Sequence, residues 1–328
     1  MDKKLNTTTN NQQKTTQDKS RAIKKRSIMT ETTEAFTLEI KVNQENISVI
    51  NWLASQCNLS KNKLKECMTK GAVWLHRQGT NPKTTKPIRR ANNFLHIGDS
   101  VYLYFNPKVL EQTPPTPQLL QDNDLYSLWH KPYGMFSHGS KWGDHCSIVR
   151  WIEQQYQRPC FLIHRLDRAT RGIIIVAHTK KIAAQLCQQF EQRQTRKRYH
   201  AVVEGQLLQE TMTLTNSIDT KTAHTDVLLI DYDAEKNTSL VDVILHTGRK
   251  HQIRRHLAEQ GHPLVGDRLY NPLFASTNGL EKDDLRLVEN LQLRAYFLAF
   301  TCPISHIYQE VTLSSEQFIS TAINLYEK

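Results

Sequence analysis

The spacing of apolar positions changes from stretch to stretch along this chain, and each spacing predicts an element. Residues 36–42 put Phe36, Leu38, Ile40 and Val42 at every second position, the period of a half-buried strand. Residues 47–57 gather Ile50, Leu53 and Ala54 on one helical face, and 61–70 read as a second short helix, capped by Ser60 and stopped by Gly71. Ala72–His76 and Val101–Phe105 read as strands, the latter just after Gly98-Asp99. A further strand begins at Leu125. Residues 160–163 and 173–177 are unbroken apolar runs joined by a polar turn. Thr179 caps a helix whose Ile182, Ala183, Leu186, Cys187 and Phe190 recur at three-four spacing. Strands are predicted at 199–203, 225–232, 239–246, 291–300 and 308–313, with a helix ending at Gly261 and a last one starting near Ser315. Mixed strands with few helices predict an α+β fold, a mostly antiparallel sheet core with flanking helices.

Composition divides the chain further. Residues 1–35 are rich in Thr, Asn, Gln and Lys, and the first thirty carry eight basic residues against two acids, out of a net charge of +11 for all 328 residues. This predicts a disordered basic tail. Residues 36–105 then form a small α+β module, in which Gln78–Asn93 reads as a long polar insertion. Pro107, Pro114, Pro115 and Pro117 mark 106–123 as a stiff linker. Residues 124–328 form the main domain. A basic tail with basic loops suits nucleic acid. The six cysteines are scattered without a C-x-x-C pair, which argues against a zinc site or a disulfide framework. His246, His251 and His256 recur every five residues, poor spacing for one helical face, so no metal is expected. The apolar run from Gly172 is too short to span a bilayer, and a cytoplasmic protein is the default expectation.

The most informative stretch is His164-Arg165-Leu166-Asp167-Arg168-Ala169-Thr170-Arg171-Gly172, between the two apolar runs. It holds one acid among cations on a turn at a strand end. That suggests a nucleophile or base facing a polyanion, although a salt-bridged hairpin tip fits the bare residues as well. The motif HRLDxxTxG resembles the active-site motif of the RluA-type pseudouridine synthases. Two later stretches, KRYHAVVEG from Lys197 and TGRKHQIRRHL from Thr247, stand in that family's order.

The resemblance implies the pseudouridine synthase fold and an enzyme that isomerises uridines in structured rRNA or tRNA, with no cofactor. It makes Asp167 the catalytic carboxylate, Arg254 the basic partner that keeps it charged, and Tyr199 and Ile253 the two faces against the uracil, with the Tyr199 hydroxyl a second candidate for removing the base's proton after reattachment. Arg165 would enter the stack vacated by a flipped-out uridine. His164 would contact the nucleotide or only shape the turn, and Arg249 would contact RNA. Lys131-Pro132-Tyr133-Gly134-Met135 and Gly261-His262-Pro263-Leu264-Val265-Gly266-Asp267 also match family motifs and read as scaffolding. Residues 36–105 are similar to a small ribosomal-type RNA-binding module. A monomer needing neither membrane nor metal is expected. Whether the Asp adds to the sugar or removes a proton from it stays open. Arg171 departs from the family, which has a small residue there; a non-catalytic RNA-binding or ribosome-assembly factor of the same fold is the alternative.

Overall fold

The computed structural model describes residues 34–275 and 290–314. All but the end of the basic tail, and the helix expected near Ser315, lie outside them. The small module runs β1 (Phe36–Lys41), α1 (Val49–Gln56), α2 (Lys61–Thr69), β2 (Val73–His76) and β3 (Ser100–Phe105). Its sheet has the order β1-β3-β2, with Lys86–Pro87 added on β2. In β3 the alternate residues Val101, Leu103 and Phe105 are buried against Leu53, Leu64 and Met68 of the two helices. Ser60 accepts the N–H of Lys63 at 3.2 Å, as a cap should. Asp99 is buried because it accepts the N–H groups of Gln78 (3.1 Å) and His96 (3.0 Å) and pairs with Arg77. The expected insertion 78–93 is part of the fold instead: Lys86–Pro87 pairs with β2, and Ile88 is buried. A single apolar residue in a polar run has no period, so nothing marks it in the sequence.

The large sheet is built from β4 (Gln118–Asp122), β5 (Tyr126–Lys131), β6 (Arg171–Ala177), β7 (Arg196–Glu204), β8 (Thr211–Leu214), β9 (Thr225–Asp233), β10 (Thr238–Leu245), β11 (Leu293–Thr301) and β12 (Tyr308–Thr312). The order is β8-β9-β10-β7-β11-β6-β5-β4, with β12 on β11 and the short strand Phe161–Leu162 on β6. Helices α3 (Ile148–Tyr156), α4 (Lys180–Glu191) and α5 (Gln252–Glu259) flank it. The α+β expectation holds. One boundary moves: β4 pairs with β5 from Gln118 onward, so the sheet begins inside the stretch read as linker. Proline density hid that strand. The strand predicted at 199–203 likewise starts earlier, taking in the basic run Arg196-Lys197-Arg198.

The unbroken apolar run of β6 follows from burial on both faces. Ile174 and Val176 join Trp129 and Ile152 on one side, and Ile173, Ile175 and Ala177 join Leu186 and Phe300 on the other. The small module meets the large one at Asp144, whose N–H donates to the Lys70 carbonyl at 2.8 Å and whose carboxylate pairs with Arg89.

One cross-strand row positions the site. Lys131 of β5 lies opposite Gly172, Gly172 opposite Ala295, and Ala295 opposite Tyr199. The β6–β11 ladder in the middle is parallel, whereas the other ladders of this sheet are antiparallel. Gly172 is required there: a Cβ would lie 2.1 Å from the Ala295 carbonyl oxygen, and its φ is +126°. Gly172→Ala is expected to cost about 2–4 kcal/mol, from overpacking plus backbone strain. Urea unfolding measures it; an unchanged midpoint would show that the strands separate freely.

Candidate active site

The HRLD turn is held from three sides. Phe161–Leu162 pairs with the far end of β6, and Gly172 pairs with β11 at the near end, which leaves the N–H of Ile175 between them. The Nε2 of His164 accepts that N–H at 3.2 Å, and its ring stacks on Phe190 at 4.6 Å. An accepting Nε2 puts the proton on Nδ1. Burial, aided by nearby Lys197, pushes the imidazole pKa down to about 3. His164 is therefore a neutral strand surrogate, which favours the turn-shaping role over nucleotide contact. Leu166, next in the turn, is tied by both backbone groups to Ser137, its N–H donating to Oγ at 3.0 Å and its carbonyl accepting from Oγ at 2.6 Å. Thr170 closes the turn by donating its N–H to the Asp167 carbonyl at 3.1 Å.

Lys131 supports the turn from beneath. Its side chain is fully buried, and Nζ donates to the carbonyls of Met135 (2.8 Å), Pro132 (3.1 Å) and Arg168 (3.4 Å). Arg168 is bound in return to Gly134, which donates its N–H to the Arg168 carbonyl at 2.9 Å and accepts from Nε at 3.1 Å. The KPYGM loop is thus laced to the HRLD turn through one ammonium. Burial pushes the Lys131 pKa down to about 7, against the pull of the Asp167 charge.

Asp167 points its carboxylate into a cleft of about 550 Å³, within the usual range for a small-molecule pocket. Its side chain keeps about a third of its exposure, and Oδ2 lies 3.8 Å from His251 Nε2. His251 is itself oriented by Tyr270, whose hydroxyl is 2.9 Å from Nδ1. Tyr199 and Ile253 are buried residues of the same cleft wall. Burial, and then the Asp167 charge, raise the Tyr199 pKa well above that of a free phenol. Arg165 is exposed at the cleft, and Arg249 lines it while donating Nε to the Thr222 carbonyl at 2.9 Å.

Arg254 departs from the expectation. It reaches the cleft, but its fork is bidentate on buried Asp267, at 2.7 and 2.6 Å, and not on Asp167. Asp267 also accepts the N–H groups of Leu269 and Tyr270. A guanidinium buried this deeply needs a full hydrogen-bonding counter-ion, and Asp267 supplies one. Burial lowers the Arg254 pKa, but the Asp267 contacts outweigh it, so the net shift is upward; Asp167 adds to it through space. Asp267, His251 and Lys131 are thus site residues that sequence reasoning passed over. The signals for Asp267 and Lys131 were the Gly266-Asp267 and Lys131-Pro132 motifs, read as scaffolding; His251 lies in the Thr247–Leu257 stretch and was weighed only for metal spacing. Arg171 is not a cleft residue: it starts β6 in register with Arg294 and donates to Gln292 Oε1 at 3.3 Å.

The cleft combines one turn-mounted carboxylate, an apolar wall and the cations Arg165, Arg193, Lys197, Arg249 and Arg254; among the described residues, exposed Glu191 is its other acid. Such a lining suits an anionic polymer with a flat, partly apolar unit, as in a nucleic acid. A model of the RNA pseudouridylate synthase family matches residues 125–259. The tRNA pseudouridine synthase C of Pasteurella multocida is 32% identical over 237 residues, covering 64% of this chain and 95% of that protein. An uncharacterised RNA pseudouridine synthase of Bacillus subtilis is 29% identical over 256 residues, covering 71% and 82%. The solved human RNA pseudouridylate synthase domain containing 1 shares the fold, with a TM-score of 0.50 and 20% identity over 62% of this chain and 86% of that one. The family match and the named relatives place the chain among RNA-modifying isomerases. The chain belongs to the RNA pseudouridine synthase family.

The lowered Lys131 pKa sets a pH dependence. Between about 7 and 10.5 the unfolded lysine keeps a proton that the folded one has released, so stability rises with pH across that window and is level below it for this group. Lys131→Met should flatten that rise. Unfolding midpoints of both proteins across the window check it, and parallel profiles would count against a neutralised Lys131.

Proposed function

We propose that this enzyme isomerises uridines in structured tRNA or rRNA to pseudouridine, with Asp167 as the catalytic group and no cofactor. The observation that carries the reading is a single carboxylate fixed on the HRLD turn and projecting into a cationic cleft beside Tyr199 and Ile253. Glycoside hydrolysis usually recruits two carboxylates. One suffices when the base never leaves: the N1–C1′ bond of uridine breaks, uracil turns, and C5 joins C1′ while the C5 proton is lost and N1 gains one. The name of the Pasteurella relative favours tRNA.

The reading gives each residue a role. Tyr199, with its raised pKa, stays a phenol and serves as a stacking face, a contact worth roughly 1–3 kcal/mol per base. As a proton acceptor it is poor. Arg254 has its charge largely engaged by Asp267 and faces Asp167 only through space, and His251 is the nearer polar partner. Arg165, exposed beside the acid, holds the vacated stack, while Arg249, Lys197 and Arg193 meet phosphates. His164 stays in the turn. The small module, with exposed Lys61 and Lys65 on α2, adds RNA affinity. The reading has a cytoplasmic monomer and no metal in the chemistry.

Asp167→Asn should abolish carbodiimide-dependent primer-extension stops at the target uridines and the release of tritium from C5-labelled RNA. Arg254→Ala should cut turnover by roughly a hundredfold or more, the scale of a lost electrostatic group, while RNA binding is largely kept. Asp167→Asn that still modifies RNA would sink the assignment. Full turnover in Arg254→Ala would remove Arg254 from it.

A further inference from the structure

Near the cleft rim, the β9–β10 ladder ends in a cluster that uridine isomerisation leaves unused. Thr225 pairs with Leu245, and one step beyond it the His246 N–H donates to the His224 carbonyl at 3.2 Å. This sets the two imidazoles against each other across the ribbon, stacked at 4.1 Å and 22°. Asp226, two residues after His224, falls on the same face by the period of a strand. Its Oδ2 lies 2.7 Å from His246 Nε2 and its Oδ1 3.3 Å from His224 Nε2. One ligand atom from each residue lies within 4.8 Å of the others.

We propose that His224, Asp226 and His246 bind a divalent transition-metal ion of the zinc class, and that the ion clamps the loop carrying Arg249 at the cleft. Two imidazole nitrogens and one carboxylate oxygen suit zinc, with Zn–N and Zn–O bonds of about 2.0–2.2 Å. Closing the cluster onto one ion takes side-chain rotation and no change of register. The surroundings resemble a second coordination layer: Thr213 on β8 donates Oγ to Asp226 Oδ1 at 2.9 Å, which orients the carboxylate. His224 and Asp226 are half-buried and His246 is exposed, so solvent water would complete the coordination.

The cluster is wired to the active-site helix. The His224 N–H donates to Thr247 Oγ at 2.9 Å, and its carbonyl accepts from Gln252 Nε2 at 3.0 Å. Gln252 Oε1 in turn accepts from Thr247 Oγ (2.7 Å) and from the Arg249 N–H (3.0 Å). Gln252 opens α5, the helix that carries Ile253 and Arg254. An ion at the ribbon end therefore fixes the Thr247–Arg249 loop against that helix.

A carboxylate that merely bridges two imidazole N–H groups would give similar distances, so the test reads metal directly. The full-length protein is stripped with a chelator and titrated with zinc chloride by calorimetry, and with cobalt(II) by visible absorption. One ion per chain is expected, with slowed amide exchange over residues 246–249. Thr213→Val should weaken binding about tenfold, and His224→Gln/His246→Gln should lose it while melting as the parent does without metal. If that double variant does not fold, Asp226→Asn keeps both imidazoles and must also lose the site. No saturable binding to the parent overturns the proposal. So does undiminished binding to the double variant or to Asp226→Asn, which would hand the ion to the cysteines.

Discussion

The close approach of β6 and β11 at Gly172 and Ala295 is the constraint on which the site depends. Only a residue without a Cβ fits there, and that contact brings two otherwise antiparallel groups of strands into one sheet. It also sets the row Lys131, Gly172, Ala295, Tyr199 across the sheet. The support of the HRLD turn, the strand that follows it and the aromatic wall of the cleft are therefore in fixed register. The register skips Tyr296 between Arg198 and Tyr199, and such bulges re-aim side chains beside active sites.

Charge in the site is arranged in two depths. Deep in the protein, Arg254 and Asp267 satisfy each other, and Lys131 is distributed over three carbonyls. Nearer solvent, Asp167 faces the weakly basic His251 and a ring of cations that border the cleft. A carboxylate bound directly to a guanidinium would be ionised but occupied. One that faces the guanidinium only through space keeps its oxygens available, which is what the proposed role of Asp167 requires. Breaking the buried pair would leave an uncompensated charge, so Asp267 matters to the site without facing the substrate.

The histidines fall into separate jobs by the same physics. His164 completes a strand edge as an acceptor, and His256 is buried between Thr225 Oγ and the Asn216 carbonyl. His251 adopts a left-handed backbone at the start of α5 and faces Asp167. His224 and His246 share Asp226. Sequence spacing grouped His246 with His251 and His256; strand register instead pairs it with His224, twenty-two residues earlier in the chain.

Local pattern was enough for most elements. The period-two run of Phe36 to Val42, the Ser60 and Thr179 caps, and the apolar block after Gly172 each encode their structure in neighbouring residues, as do the motifs that mark the family. Missed were β4 among prolines, helix α3, the short strand β8, and buried Ile88 in a polar run. For the site, the sequence by itself determined which residues gather, namely Asp167, Tyr199, Ile253 and Arg254, because their motifs are contiguous. Tertiary structure alone decided who bonds to whom. Arg254 turns to Asp267 and His164 to Ile175, because burial forces each polar group to find a partner, and the partners come from strands and turns that only the folded sheet brings within reach.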